Sequence, residues 1–134
     1  MYIIELEPRP APRMTKRDKW AKRKVVTDCF EWRKSFVLLC KQAQYHTLKP
    51  QLYGLFIIPM PISWSKKKRL TMIDKPHQQR PDTDNIIKNI QDSWGVDDGY
   101  VYSVHCEKYW GEKGRIILFE TIYEMLNYID GNSK

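Results

Sequence analysis

The sequence lacks the features of a membrane, secreted or zinc-binding protein. No apolar run approaches the roughly 18–20 residues that span a bilayer, and the first residues lack the basic start and apolar stretch of a signal peptide. We therefore expect a cytoplasmic protein without membrane contact. The cysteines Cys29, Cys40 and Cys106 form no C-x-x-C pair and sit in apolar patterns, which favours reduced core thiols. The histidines show no H-x-x-x-H spacing, so any metal site would need carboxylates.

What is present is a globular composition with an excess of positive charge. A chain of 134 residues suits one domain, and its 42% hydrophobic and 29% charged residues exclude a disordered chain or a coiled-coil rod. Lysine and arginine number 23 against 16 aspartates and glutamates, which gives a formal net charge of +7. The excess is clustered in residues 9–24, where Asp18 is the only acid, and in residues 66–69.

These two basic segments predict contact with phosphate. Pro8, Pro10 and Pro12 hold the start of the first segment extended, so it is expected to form an arm or an edge loop. A single basic run is usually a solvated face, but two runs in one small domain, with Trp20 and Trp64 beside them, favour binding to nucleic acid. The candidate DNA-binding residues are Arg13, Lys16, Arg17, Lys66, Lys67, Lys68, Arg69 and Arg80.

Hydrophobic periodicity predicts a single α/β (α+β) domain over residues 1–134, with a mixed β-sheet packed with helices. The predicted elements are a strand at 2–7, a helix capped by Thr27 or Asp28 and ending before Pro50, a strand at 52–58, a helix at 85–94, strands at 101–110 and 115–122, and one or two helical turns at 123–129. The last two strands are separated by Gly111 to Gly114, so we expect them to form a hairpin.

The most informative stretch is R-P-D-T-D-N-I-I-K-N-I-Q-D-S-W-G-V-D-D, residues 80–98. Asp82 and Asp84 follow a proline and are two residues apart, so we expect both on one face of an extended strand end. A short amphipathic helix follows over residues 85–94 and is ended by a glycine. Asp97 and Asp98 come directly after it, so acidic residues flank both ends of one helix.

Whether these acids meet depends on the fold, because a ten-residue helix is about 15 Å long. They can approach one another if the strand after Asp98 pairs beside the strand before Asp82. Carboxylates that lie close together cannot all stay ionised without a compensating cation. Oxygen ligands favour Mg²⁺ or Mn²⁺, which suit phosphate substrates, so the stretch predicts metal-assisted hydrolysis of a phosphodiester.

Each part of the stretch also has an ordinary structural interpretation. Asp84 or Asn85 could cap the helix, and Asp82 could lie near its start because of the helix dipole. Lys88 and Asp92 could form a surface ion pair, and the later acidic pair could be a turn. Taken together, acids at both ends of a short helix and a lysine within it favour a metal site in an otherwise basic protein.

The same residues resemble the signature of the RusA family of Holliday-junction resolvases. The resemblance rests on R-P-D-T-D-N, Lys88, Asp92 and the D-D pair, and it extends to S-W-S-K-K-K and to the proline-rich basic segment. It therefore covers most of the chain. It implies a small α/β homodimer with a mixed sheet that cleaves four-way DNA junctions by paired nicks, with Mg²⁺ as cofactor and Mn²⁺ as an alternative, in DNA recombination and repair in a bacterial or phage-infected cell.

The resemblance also implies roles for individual residues. The family's paired aspartates fall on Asp82 and Asp84, its essential lysine on Lys88, and its later essential acid on Asp98, with Asp97 a weaker candidate. The three aspartates Asp82, Asp84 and Asp98 would hold the metal ion. Lys88 would contact the scissile phosphate or its developing charge. These four residues are the candidate catalytic residues.

The sequence departs from the family pattern near the second acidic pair. The segment at 93–96 is shorter than in many members, and Gly99 and Tyr100 follow where small polar residues are common, which affects the expected ligand geometry. Two other functions remain open: a nuclease that acts mainly on flaps or forks, and a non-catalytic protein that binds branched DNA. A homodimer would match the two-fold symmetry of a four-way junction, which is read through its shape and phosphates.

Overall fold

The computed structural model describes residues 1–12 and 24–132 of the chain. Within these residues the chain forms four helices and a four-stranded mixed sheet, which confirms the predicted α+β class. In chain order the elements are β1 (Tyr2–Ile4), α1 (Lys24–Gln42), β2 (Gln51–Pro59), α2 (Lys66–Met72), α3 (Thr83–Trp94), β3 (Ser103–Gly111), β4 (Arg115–Phe119) and α4 (Ile122–Asn132).

The strand order of the sheet is β1-β4-β2-β3. Strand β2 pairs in parallel with β3, with Gln51 opposite Ser103, and antiparallel with β4, with Tyr53 opposite Phe119. The predicted hairpin between β3 and β4 is therefore wrong, because β2 lies between them. Strand β2 is buried or half-buried along its whole length, as expected for a strand with neighbours on both edges and layers on both faces.

Helices cover both faces of the sheet. On one face, Trp32 and Phe36 of α1 and Ile86 and Ile90 of α3 belong to one buried cluster, which confirms the apolar stripe predicted for α3. On the other face, α4 contributes Met125 to a smaller cluster with residues of β2 and β4. In the part of the chain that the structure describes, no helix has both the length and the hydrophobicity that a membrane span requires.

Several boundaries differ from the predicted ones. Helix α1 already includes Lys24, so Thr27 and Asp28 lie inside it rather than capping it. Strand β1 is shorter than expected and ends at Ile4. Helix α2 is not predicted from the sequence, because its basic residues show no apolar stripe. Its N-cap is Ser65, whose Oγ accepts a hydrogen bond from the amide of Lys68 at 3.1 Å.

Two of the three cysteines lie in the core, as the sequence predicts. All three are free thiols, and Cys40 is fully buried in the cluster beneath α1, whereas Cys29 and Cys106 are half-buried. Burial raises the pKa of Cys40 and of Cys106 to about 12, so neither thiol is ionised at neutral pH. Cys40 and Cys106 thus belong to the core and offer no thiolate, whereas Cys29 lies outside the core clusters, with its Sγ 3.5 Å from Asn89 Oδ1.

Candidate active site

The first acidic pair lies at the start of α3. Asp82 is the N-cap residue with an extended backbone, but its side chain makes no capping hydrogen bond. Asp84 lies in the first helical turn, where its Oδ1 accepts a hydrogen bond from the amide of Asn85 at 3.0 Å. Because the helix begins at Thr83, the expected placement of both acids on an extended strand end is wrong, as is the expected cap at Asp84 or Asn85. Both carboxylates are exposed, as is Arg80 just before them.

A row of charged side chains continues along α3. The Nζ atom of Lys88 lies 3.9 Å from Asp92 Oδ2 and 3.9 Å from Asp98 Oδ1, so the lysine links the helix to the turn that follows it. The pairing of Lys88 with Asp92 confirms the predicted ion pair. Arg33 of α1 reaches the same Asp92 oxygen at 3.3 Å. Positive and negative groups therefore alternate from α1 across α3 to Asp98.

The second acidic pair lies in a turn before β3. Gly95 ends α3 in the left-handed conformation, with φ 65°, as the sequence predicts. The amide of Tyr100 donates to the carbonyl of Asp97 at 2.9 Å, and its hydroxyl donates to the carbonyl of Leu48 at 2.8 Å. The side chain of Asp98 is 84% exposed. This turn therefore holds its acids at the surface through few contacts.

The four predicted catalytic residues are brought together only in part. Strands β2 and β3 do pair side by side, which is the condition for the acids to approach. However, α3 is about 18 Å long, so Asp82 and the turn after the helix lie at opposite ends of it. Lys88 brings Asp98 to the charged face of α3, while Asp82 and Asp84 lie toward its start.

These aspartates suit a divalent ion by their chemistry but not by their present arrangement. Carboxylate oxygens are the donors that Mg²⁺ and Mn²⁺ prefer. Among residues 1–12 and 24–132, no group of three or more histidine, cysteine, aspartate or glutamate side chains is arranged to hold a metal ion. The residues therefore supply suitable donors without forming an assembled metal site.

The chain before α3 runs along the outer edge of β3. The amide of His77 donates to the carbonyl of Lys108 at 3.0 Å. The Nζ atom of Lys108 then donates to the carbonyl of Gln79 at 2.7 Å and to the carbonyl of Pro81 at 2.6 Å. Both the backbone and the side chain of one strand residue thus hold the segment that leads into Asp82.

Lys108 is not among the residues that the sequence predicts for the site. It alternates along β3 with Cys106 and Trp110, whose side chains pack against the core beneath α1 and α3. A lysine on the core-facing side of a strand is unusual, and this is the signal that could have identified it. Burial lowers the pKa of Lys108, and the charge of nearby Asp82 acts in the opposite direction.

His77 lies beside the same segment. It is 4% exposed, and its ring centre is 4.2 Å from that of Trp110. Burial lowers the pKa of His77, and the positive charge of Lys108 lowers it further. The ring is therefore neutral at neutral pH and packs against Trp110 of β3.

The buried face of α3 holds the start of the basic arm. The side chain of Asn89 is 1% exposed; its Nδ2 donates to the carbonyl of Arg9 at 3.0 Å, and its Oδ1 accepts from Arg33 Nε at 2.7 Å. The amide of Ala11 donates to the carbonyl of Asn85 at 3.2 Å. The arm is therefore anchored on α3 just before residue 13. The predicted DNA-binding residues Arg13, Lys16 and Arg17 lie outside the described residues.

The second basic segment forms most of α2. The lysines of residues 66–68 are exposed, and Lys68 Nζ lies 4.3 Å from the centre of the Trp64 ring. Arg69 differs from them, because its Nη2 lies 2.9 Å from a carboxylate oxygen of Glu112. The lysines thus present their charge to solvent, whereas Arg69 also supports the local fold.

A cavity of about 510 Å³ lies on the other face of the sheet. Its lining includes Leu55 and Ile57 of β2, Tyr109 of β3, and Tyr128 and Ile129 of α4. None of the predicted site residues that the structure describes lines it. The candidate active site is therefore the charged surface along α3 rather than this cavity.

Comparison with known families supports an assignment of the chain. The family model described as "Endodeoxyribonuclease RusA" matches residues 5–119, from the residue after β1 to the end of β4. Comparison with curated proteins and with solved structures found no match. The matched region includes both acidic pairs, Lys88 and the second basic segment. The chain therefore belongs to the RusA family of endodeoxyribonucleases, which resolve Holliday junctions and in general depend on a divalent metal ion.

Proposed function

We propose that this protein resolves Holliday junctions by paired symmetric nicks, in DNA recombination and repair, with Mg²⁺ as its ion and Mn²⁺ as a substitute. The observation that most supports this is the charged face of α3, where exposed aspartates flank a lysine in a protein of net charge +7. A surface that combines carboxylates with basic segments suits hydrolysis of a charged polymer better than binding alone, because the carboxylates repel phosphate unless a cation is bound.

Asp82, Asp84 and Asp98 are the proposed metal ligands, with Asp97 as a weaker candidate. A divalent ion bound there would polarise the phosphate and activate a water molecule for attack. The exposed carboxylates leave this surface open to DNA, because the Asp82 side chain makes no capping hydrogen bond and the Asp98 side chain is mostly in solvent.

Lys88 is the proposed contact to the scissile phosphate. Its separations of 3.9 Å from Asp92 and Asp98 exceed hydrogen-bond distance, so these acids attract the ammonium group without occupying its donors. The side chain is 55% exposed. The ammonium can therefore turn toward a phosphate and stabilise the charge that develops on it during cleavage.

The proposed DNA contacts come from both basic segments. The exposed lysines of residues 66–68 supply phosphate contacts together with Arg69 and the exposed Arg80. Arg13, Lys16 and Arg17 follow in sequence after the anchored start of the arm. A four-way junction has near two-fold symmetry, so a homodimer would place one site on each strand to be cut. We propose that the protein acts as such a dimer in the cytoplasm of a bacterial or phage-infected cell.

The test is a nicking assay on a synthetic four-way junction, with and without Mg²⁺. Asp82→Asn and Asp84→Asn should each lower Mg²⁺-dependent nicking by at least about 100-fold. Junction binding should be kept or become tighter, because a negative charge that repels phosphate is removed. The matched control is Asp130→Asn, an exposed aspartate on α4 that lies outside the family match.

Undiminished nicking by both variants would contradict the proposed metal ligands. The same assay separates the alternatives when a fork, a flap and a linear duplex are run beside the junction. Faster cleavage of flaps or forks would favour the related nuclease, and binding without any cleavage would favour a non-catalytic DNA-binding protein. Paired symmetric nicks in the four-way junction would support resolution.

A further inference from the structure

We propose that Lys108 is a positioning residue that fixes the first acidic pair for cleavage. This inference rests on the proposed function, because it concerns the same site. The inference goes beyond the proposed function by assigning a role to a strand residue that lies outside the acidic stretch. It is supported by the position of the Lys108 side chain beneath the last residues before α3.

Two neighbouring carbonyls converge on the Lys108 ammonium group. Gln79 O lies 2.7 Å and Pro81 O lies 2.6 Å from Nζ, so both carbonyls are within hydrogen-bond distance of the charged donor. Pro81 directly precedes Asp82, which caps α3. Two donors of one ammonium thus fix the path of the chain at the point where the helix starts.

The backbone of β3 holds the rest of this segment in register. The amide of Trp110 donates to the carbonyl of Lys75 at 3.0 Å, and the carbonyl of Lys108 accepts from His77 at 3.0 Å. These bonds end at residue 77, so the backbone ladder does not reach Pro81. The Lys108 side chain extends the attachment across the remaining residues to the start of α3.

A lysine suits this role because of its reach and its charge. Its long side chain spans from the strand to carbonyls that the backbone of β3 does not bind. Its positive charge also lies near the negative charge of Asp82, and this attraction favours keeping the ammonium beneath the start of α3. Small displacements of a reacting group are costly, since a shift of about 1 Å can lower a rate about 100-fold.

The experiment compares Lys108→Met, Lys108→Arg and the wild type. Lys108→Met removes the donors while keeping a long apolar side chain, and Lys108→Arg keeps charged donors. The control is Lys113→Met, which makes the same change of charge at an exposed residue between β3 and β4. Each protein is measured for nicking of a saturating four-way junction in Mg²⁺, for junction affinity without metal, and for amide hydrogen exchange.

Lys108→Met should lower the nicking rate at saturation by about 10–100-fold, while junction affinity changes by no more than about 3-fold, since few phosphate contacts are lost. Amide exchange should become faster in residues 78–84 and stay unchanged in α1. Lys108→Arg should restore most of the rate, and Lys113→Met should match the wild type. This split between rate and affinity would not arise from a residue that merely binds DNA.

Other outcomes would overturn the proposal. Normal nicking by Lys108→Met, with Asp84→Asn inactive in the same assay, would leave the proposed function intact and remove the role of Lys108. Faster exchange throughout the chain would show that Lys108 stabilises the whole fold and has no specific role at the site. A wild type that nicks no junction would contradict the proposed function, and unchanged exchange at residues 78–84 in Lys108→Met would then also contradict the attachment.

Discussion

The two ends of α3 carry similar residues but are held very differently. At the start of the helix, the chain leading to Asp82 is bonded along the edge of β3 and then by the Lys108 side chain. At the end, Asp98 lies in a surface turn with its side chain 84% exposed, and the turn is held by the ion pair of Asp98 with Lys88 and by the hydrogen bond from the Tyr100 hydroxyl to a backbone carbonyl. The chain before the first acidic pair is bonded to the sheet, whereas the second pair lies in an exposed turn held by side chains.

This difference bears on how a metal site could be completed. The acids do not form an assembled site in the described residues, so the proposed ligands can hold one divalent ion only if at least one of them shifts. Residues 97–100 of the turn after α3 are all exposed, and segments with few buried contacts are the ones that move most readily. We therefore expect the turn with Asp98 to adjust toward the first pair.

The largest expected effect distinguishes the two acids of the exposed turn. Asp98→Asn should lower Mg²⁺-dependent nicking by at least about 100-fold, because it removes a proposed ligand. Asp97→Asn should lower the nicking rate by less than about 10-fold. The defined contact of Asp97 is made by its backbone carbonyl, which accepts from the amide of Tyr100 and is kept in the variant. The measurement is the single-turnover rate on a four-way junction. Equal losses in the two variants would contradict the assignment of Asp98 over Asp97.

The sequence predicts the kinds of residue in this site better than their separation. The helix between the acidic pairs carries a local signal, since Ile86 and Ile90 mark its buried face and Gly95 marks its end. The distance between the pairs depends instead on the length of α3 and on the parallel pairing of β2 with β3. A local sequence pattern predicts neither the direction in which two strands pair nor the position of a helix on the sheet.

The sheet shows the same limit. Strands β2, β3 and β4 are predictable as apolar or β-branched runs, but β2 is buried on both faces and is equally compatible with several neighbours. The predicted hairpin fails because sequence proximity of β3 and β4 is a weaker constraint than burial of β2 between them. Helix α2 escapes prediction because its stability depends on the Ser65 cap rather than on an apolar stripe.

The next largest effect concerns the DNA affinity that the basic arm contributes. The arm is anchored on α3 through Asn89 and Asn85, so its basic residues should act on binding rather than on chemistry. Replacing Arg13, Lys16 and Arg17 together by glutamine should weaken junction binding about tenfold and reduce the salt slope by about 2–3, since each neutralised phosphate contact contributes about 0.9. The cut position should not change.

The control for the arm variant is a matched loss of charge elsewhere. The control variant replaces three exposed lysines, Lys34, Lys41 and Lys113, by glutamine, so it loses as much positive charge as the arm variant. Binding is measured over a series of salt concentrations for both triple variants. Equal slopes for the two would show that net charge alone explains the affinity, and a shifted cut position in the arm variant would show that the arm also positions the site.

A smaller effect is expected from loosening the exposed turn. Tyr100→Phe removes the hydroxyl that donates to the carbonyl of Leu48 and should cost about 1 kcal/mol of unfolding free energy. If the turn must adjust toward the first acidic pair, nicking at saturating Mg²⁺ should fall by no more than about 3-fold. The measurements are urea unfolding and single-turnover nicking. A loss as large as that of Asp98→Asn would show that this turn, too, must be rigid.

The smallest effect concerns the buried ring of His77, in the segment that runs along the edge of β3 before α3. Burial and the charge of Lys108 hold the pKa of His77 below its ordinary value of 6.5, so the unfolded chain binds a proton more readily than the folded one. The stability that this neutral ring contributes is present above that value and is lost as the pH falls through the range between the unfolded and folded pKa.

His77→Phe keeps a ring against Trp110 but cannot be protonated. The unfolding free energy of the variant should therefore decline less than that of the wild type between neutral and mildly acidic pH, whereas His46→Phe, at an exposed site, should follow the wild type. Parallel declines in wild type and His77→Phe would mean that His77 binds a proton equally well in the folded and unfolded chains, because a group with the same pKa in both states adds no pH dependence to stability.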